Sequence, residues 1–165
     1  MKFLVDQMLG TLAKWLRLCG LDTFYATQEI SDDELLQIAQ KEQRIIITRD
    51  KELHQRAQKK NIQTVFTTSI NLSEQLHLVF QSFPLITEEI DPLTRCSLCN
   101  TPIKPIKKKE VEDQIPQRVA QQQEDFWICP SCHQIYWKGT HYQKILQKVK
   151  ELKQKQEKNN QNLPL

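Results

Sequence analysis

The sequence predicts an α/β domain on a parallel sheet, followed by a small cysteine-rich module and a basic terminal helix. Three observations carry this. Short apolar runs alternate with amphipathic segments through the first 83 residues. The run Arg44–Thr48 is continuous and β-branched, as a strand buried on both faces requires. Four of the five cysteines fall in two Cys-x-x-Cys pairs beyond residue 95.

Each element follows from its local pattern. Lys2–Val5 reads as a strand bounded by Asp6. Met8, Leu12, Trp15, Leu16 and Cys19 share one helical stripe that Gly20 stops. Thr23–Ala26 is a second strand, and Ser31 or Asp32 caps a helix with Leu35, Leu36, Ile38 and Ala39 on its apolar side. After the Ile45-Ile46-Ile47 strand, Asp50 opens another helix and Ile62–Phe66 gives a fourth strand. Asn71 or Ser73 then starts a helix aligning Leu72, Leu76, Val79, Phe80 and Phe83. The stretch Pro84–Pro92 marks a boundary, so the expected units are 1–90, 91–142 and 143–165. The middle unit has two short aromatic strands around Trp127 and Trp137. The last has a helix carrying Tyr142, Ile145, Leu146, Val149 and Leu152, and a disordered tail is expected over Asn159–Leu165.

At 165 residues, 39% hydrophobic and 26% charged, the composition is that of a globular chain with material for one modest core. Met-Lys-Phe-Leu-Val meets Asp6 without an apolar signal core, and no run approaches a membrane span, so a cytoplasmic address and no membrane partner are expected. Residues 1–90 hold 10 Lys+Arg against 12 Asp+Glu, whereas 91–165 hold 13 against 8. An acidic front and basic back suit a metal-using nuclease with a separate gripping module, and equally an ordinary solvated surface.

Cys96-x-x-Cys99 and Cys129-x-x-Cys132 stand 29 residues apart. Each turn aims two sulfurs at a point about 2.3 Å away, and two turns close a tetrahedron. Four thiolates leave no open position, so the expected Zn²⁺ is structural, supplying on the order of 10 kcal/mol to a segment poor in large aliphatics. Cys129-Pro-Ser-Cys132-His133 also has the c-type haem form, but that chemistry needs export and leaves Cys96 and Cys99 without a purpose. Cys19, in an apolar pattern, reads as a buried hydrophobe.

Asp6 follows the first strand, Asp50 follows the Ile-rich strand, and Asp32 and Asp33 open the helix between them. Singly, each reads as a helix cap. Together, residues just past the ends of parallel strands converge on one crevice, and crowded carboxylates call for a cation. Oxygen ligands without histidine favour Mg²⁺ or Mn²⁺.

The stretch Phe3-Leu4-Val5-Asp6-Gln7-Met8-Leu9-Gly10-x-Leu12-Ala13-Lys14-Trp15-Leu16-Arg17, then Asp32-Asp33-Glu34-Leu35-Leu36, then Arg44-Ile45-Ile46-Ile47-Thr48-Arg49-Asp50, resembles the PIN-like ribonuclease family of the mutator-seven exonuclease C-terminal type. Arg95-Cys96-x-x-Cys99-Asn100, Phe126-Trp127-x-Cys129-Pro130-x-Cys132 and Tyr136-Trp137-Lys138-Gly139 are similar to the zinc ribbon that follows in that family. The resemblance implies a PIN-like three-layer α/β/α fold and RNA cleavage at acids chelating a divalent metal. By match, Asp6, Asp32 and Asp50 fall on the ligands, Asp33 is the alternative to Asp32, and Arg49 lies in the Thr-Arg-Asp signature. The chain departs from the family in having no fourth acid in Thr67–Asn71, and in carrying Lys14 where arginine is expected.

For substrate, Lys14 and Arg17 lie three apart on the first helix and either steer phosphate or form a solvated face. Lys107 and Lys108 lie in a basic loop between the knuckles. Trp127, Tyr136, Trp137 and Lys138 set rings beside charge, which suits single-stranded RNA, although rings in so small a ribbon also serve as its core. The expected function is therefore a metal-dependent ribonuclease, with a non-catalytic RNA- or ribosome-binding adaptor as the alternative.

Overall fold

The computed structural model describes residues 1–27, 29–83, 86 and 88–161; for 141 and 155–161 it describes the backbone alone. Strands β1 (Lys2–Val5), β2 (Asp22–Tyr25), β3 (Ile45–Thr48) and β4 (Thr64–Phe66) form one parallel sheet in the order β2-β1-β3-β4. Helices α1 (Gly10–Leu18), α2 (Asp32–Glu42), α3 (Lys51–Lys59) and α4 (Leu72–Ser82) connect or follow these strands.

Alternation along each strand sorts the helices into two layers. Phe3, Val5, Ile45, Ile47 and Val65 meet Leu12 and Leu16 of α1 and Leu76, Val79 and Phe80 of α4. Leu4 and Ile46 meet Leu35, Leu36 and Ala39 of α2 and Leu53 and Ala57 of α3. The domain is the expected three-layer α/β/α fold, and its two-sided burial explains the unbroken Ile45-Ile46-Ile47 run.

Three strands form the second, antiparallel sheet: β5 (Lys104–Ile106), β6 (Phe126–Ile128) and β7 (Ile135–Trp137). Two are the aromatic strands expected. The third, β5, replaces the start of what reads in sequence as a loop: Pro105 hides the strand signal, and pairing with Trp127 supplies it. A short helix, α5 (Gln117–Gln122), also lies between the knuckles.

Helix α6 (Thr140–Gln161) returns to the first domain, where Ile145, Val149 and Leu152 join the core beside α4. Its backbone is helical through Gln161; of the tail expected over Asn159–Leu165, residues 162–165 lie outside the described residues, as does the boundary residue Pro84. A second correction concerns Met8, which sits in a 3-10 turn ahead of α1 and is 56% exposed rather than part of the apolar stripe.

The two sheets meet around Asp22, at the N-terminal end of β2. Its carboxylate accepts from Arg44 (2.8 Å) and Asn100 Nδ2 (2.9 Å) and pairs with Arg95 (3.3 Å). Burial alone would raise its pKa, but the Arg44 and Asn100 hydrogen bonds prevail and lower it. Asn100 Oδ1 in turn accepts from the Thr23 amide at 3.0 Å.

Gly20, at φ +87°, lets the chain turn under this junction, since a Cβ there would lie 2.2 Å from the Asp91 carbonyl oxygen. Gly20→Ala should therefore cost about 1–3 kcal/mol. A thermal melt should fall by roughly 3–8 °C; an unchanged melt would show that the junction yields freely.

Candidate active site and metal centre

Because β1 is flanked by β2 on one side and β3 on the other, the chain reverses its direction of travel across the sheet between β1 and β3. Ligands of open α/β sheets bind at such a switch point, beyond the C-terminal strand ends. Asp6, Asp32 and Asp50 line one crevice of about 40 Å³ there, with Met8, Ala26 and Thr27 among the other walls. That is room for an ion and one or two waters. Asp33 is not among the lining residues.

Asp6 is 4% exposed and held from three directions. Its Oδ1 accepts from the Met8 amide at 2.7 Å. Its Oδ2 accepts from the Thr48 hydroxyl and from the Arg49 amide at 3.0 Å. The Thr48 hydroxyl also accepts from the Asp50 amide at 2.8 Å, linking the ends of β1 and β3. Asp50 is the N-cap of α3, with both cap bonds, from the Glu52 and Leu53 amides, on Oδ1.

Asp32 lies in the first turn of α2, where Ser31 is the cap. Its Oδ2 accepts from Arg56 at 3.1 Å, and Asp33 pairs with the same guanidinium. The Asp32 pKa is raised, first by burial; Arg56 opposes this, and the charges of Asp50, Glu52 and Asp33 add to it. Anions therefore crowd this rim. Among the described residues, only the four cysteines bring three or more ligand atoms within 4.8 Å of one another; no three carboxylates do so. Arg49 is half-buried, and its Nε has no hydrogen-bond partner.

The cysteine site forms from two matching turns. The Asn100 and His133 amides donate to the carbonyls of Cys96 and Cys129 at 3.0 and 2.9 Å, and Asn100 and His133 each take positive φ. The sulfurs of Cys96 and Cys132, and of Cys99 and Cys129, lie 3.4 Å apart, and those of Cys99 and Cys132 3.7 Å. A tetrahedron with bonds of about 2.3 Å has edges of about 3.8 Å, so the four cysteines could hold a metal ion such as zinc, and the module has the form of a zinc ribbon.

The neighbours of the sulfurs also fit a metal. Tyr136 Oη lies 3.1 Å from Cys96 Sγ and accepts from the Ser97 amide at 2.9 Å. Burial, and next Cys96, push the phenol pKa up, so Tyr136 stays a donor to the sulfur. Cys19, apart from this set, is 2% exposed, and burial pushes its thiol up to about 12. It is an inert core residue.

The expected substrate residues are dispersed. Lys14 and Trp137 line one groove between α1 and the ribbon. Lys107 is exposed, Lys108 pairs with Glu124 at 2.6 Å, and Lys138 lies over the Trp127 ring at 5.4 Å. Trp127 and Tyr136 pack around Cys96 and Cys129, as ribbon core.

Arg17 departs from both expectations for it. Only 7% exposed, it neither forms a solvated face nor stands free for phosphate. Its Nε donates to the Thr23 carbonyl at 2.8 Å, and its Nη1 donates to the Leu98 carbonyl at 2.6 Å, inside the first knuckle. A helix pattern reveals which face a residue occupies, not that another module covers that face. Thr48, Asp22 and Arg56 are the contributors that sequence reasoning missed; only Thr48 carried a signal, within Thr-Arg-Asp.

A buried guanidinium beside Cys96 and Cys99 would offset the net negative charge of a zinc ion held by four thiolates. Arg17→Met should therefore speed zinc loss to a chromogenic chelator by about 10-fold. Release at the unaltered rate would show that Arg17 serves packing alone.

Comparison with curated proteins and with solved structures gave no match. A family model described as the Mut7-C RNAse domain matches residues 1–149, from β1 through both knuckles and into α6. That span covers the acidic crevice and all four cysteines, and it brings a ribonuclease-type function with RNA as substrate. The chain belongs to the Mut7-C RNase domain family.

Proposed function

We propose that this protein is a metal-dependent ribonuclease that hydrolyses RNA phosphodiester bonds at the acidic rim, with its zinc ribbon holding single-stranded substrate. The observation that carries the reading is that Asp6, Asp32 and Asp50, far apart in sequence, line one crevice at the switch point of the sheet. In this reading residues 1–90 are the nuclease domain, 91–142 the ribbon and 143–165 the basic terminal helix and tail, the helix's apolar side completing the nuclease core. Four cysteines placed to share a metal, rather than paired in disulfides, suit the cytoplasm.

The all-oxygen donor set and the crowding of anions fit Mg²⁺ or Mn²⁺. Asp6, Asp50 and either Asp32 or Asp33 would hold it. When bound, such an ion supplies Lewis acidity toward a phosphate oxygen and lowers the pKa of water.

The chain's own residues prepare the site. Three donors fix Asp6 in one orientation. The Asp50 cap bonds fall on Oδ1 and leave Oδ2 for a ligand, while Arg56 takes Oδ2 of Asp32 and leaves Oδ1. Arg49, with its unpartnered Nε, brings positive charge to the rim for the phosphate.

One observation favours the adaptor reading: Arg56 already neutralises part of the Asp32–Asp33 charge, and no three of the acids lie within 4.8 Å of one another. It predicts salt-sensitive RNA binding without cleavage under any divalent ion.

Asp50→Asn separates the two. Asn caps a helix as well as Asp, so the melt should hold within about 2 °C, whereas Mn²⁺-dependent cleavage of labelled RNA should fall by about 100-fold or more. Asp6→Asn is the poorer probe, because its amide would place a donor among three donors. An unchanged rate in Asp50→Asn removes the mechanism.

A further inference from the structure

Between α1 and the ribbon lies a groove of about 310 Å³, whose lining includes Lys14, Leu18, Leu98, Trp137, Gly139 and Thr140. Its size is at the lower end for small-ligand sites. Its chemistry is two-sided. Leu18, Leu98, Ile135 and the Trp137 ring give it an apolar wall, and Leu98 is 55% exposed there. Lys14 gives it a cation, α6 begins at Thr140 with no acid in its first turn, and no Asp or Glu lines the groove.

The groove is also built, rather than incidental. A Cβ on Gly139 would lie 2.7 Å from Trp137 Nε1, so the indole occupies the space that the missing side chain leaves. Arg17 ties the Leu98 carbonyl to α1 at 2.6 Å, fixing one wall to the other.

A flat apolar surface beside uncompensated positive charge matches one kind of ligand unit, a base carrying a phosphate. We propose that this groove is a nucleotide subsite for single-stranded RNA, with a base stacked on Trp137 and its phosphate beside Lys14. The choice of RNA rests on the ribonuclease reading. The nine residues of α1 span about 13 Å, and the helix starts just past Asp6 and ends at the groove, so a strand cut at the acidic rim reaches the subsite within a few nucleotides. Of the aromatic residues expected to stack bases, Trp127 and Tyr136 are spent on the ribbon core, and Trp137 remains.

The test is fluorescence anisotropy of a labelled 12-nucleotide oligouridylate with the zinc-loaded full chain, without Mg²⁺ or Mn²⁺, so that binding is read apart from cleavage. Leu98→Asp, at an exposed position, and Trp137→Ala should each weaken binding by about 10-fold, and Trp137→Phe should restore most of it. Lys14→Gln should lower the salt slope by about one. Lys41→Gln, on α2, serves as the control for general charge loss and should change binding little.

Uridine monophosphate alone should bind far more weakly than the oligonucleotide; equal affinity overturns the assignment to RNA. Wild-type binding by a folded Leu98→Asp chain with one zinc per protein overturns the subsite. If cleavage persists while these variants bind normally, the subsite fails and the nuclease reading stands. If the variants lose binding in a chain that never cleaves, the subsite stands and the nuclease reading fails.

Discussion

Parallel pairing of β1 with β2 on one side and β3 on the other is the constraint on which the rest of this protein depends. It brings Asp6 and Asp50 to the same rim although 43 residues separate them, and the Thr48 hydroxyl joins the two ends through hydrogen bonds to both. It also gives β1 and β3 helices on both faces, so Phe3, Leu4, Val5, Ile45, Ile46 and Ile47 are all buried. A one-residue slip of β3 would send Ile46 into the layer of α1 and move Asp50 away from Asp6. Core packing and site geometry therefore enforce the same register.

The second organising feature lies at the opposite end of the sheet. Arg17, Asp22, Arg44, Arg95 and Asn100 join the first knuckle to α1 and β2 through buried or half-buried polar contacts. Buried charges are costly unless paired, and here each has a named partner. The ribbon is thereby held against the α/β domain, while α6 crosses back to close its core. A metal held by the cysteines would be coupled to more than the ribbon's own fold, since the knuckle carbonyl that Arg17 grips belongs to the loop that presents Cys96 and Cys99.

These two ends give the molecule a division of labour. Acids and the crevice occupy the C-terminal rim; sulfurs, aromatic rings and the Lys14 groove lie toward the other. Helix α1 runs between them, following directly on Asp6 and ending against the knuckle. The charge asymmetry along the chain belongs mainly to its last segment: residues 91–142 hold 7 Lys+Arg against 6 Asp+Glu, whereas 143–165 hold 6 against 2.

Local chemistry determined much on its own. The period of the apolar residues fixed four strands and four helices in the first domain, because burial on one face or two leaves a direct imprint on composition. The Cys-x-x-Cys spacing marked the sulfur site, because two-residue turns converge without help from distant chain. The positions of Asp6, Asp32 and Asp50 beside strand and helix ends were legible for the same reason. Tertiary structure alone decided which partner each polar group meets: Arg56 with Asp32 and Asp33, Arg17 with the knuckle, Asp22 with three residues across the junction. It also made a strand of Lys104–Ile106 and turned a lysine-rich helix back onto the core. Such outcomes depend on which surfaces meet after folding, and a helical or extended pattern carries no record of what will cover it.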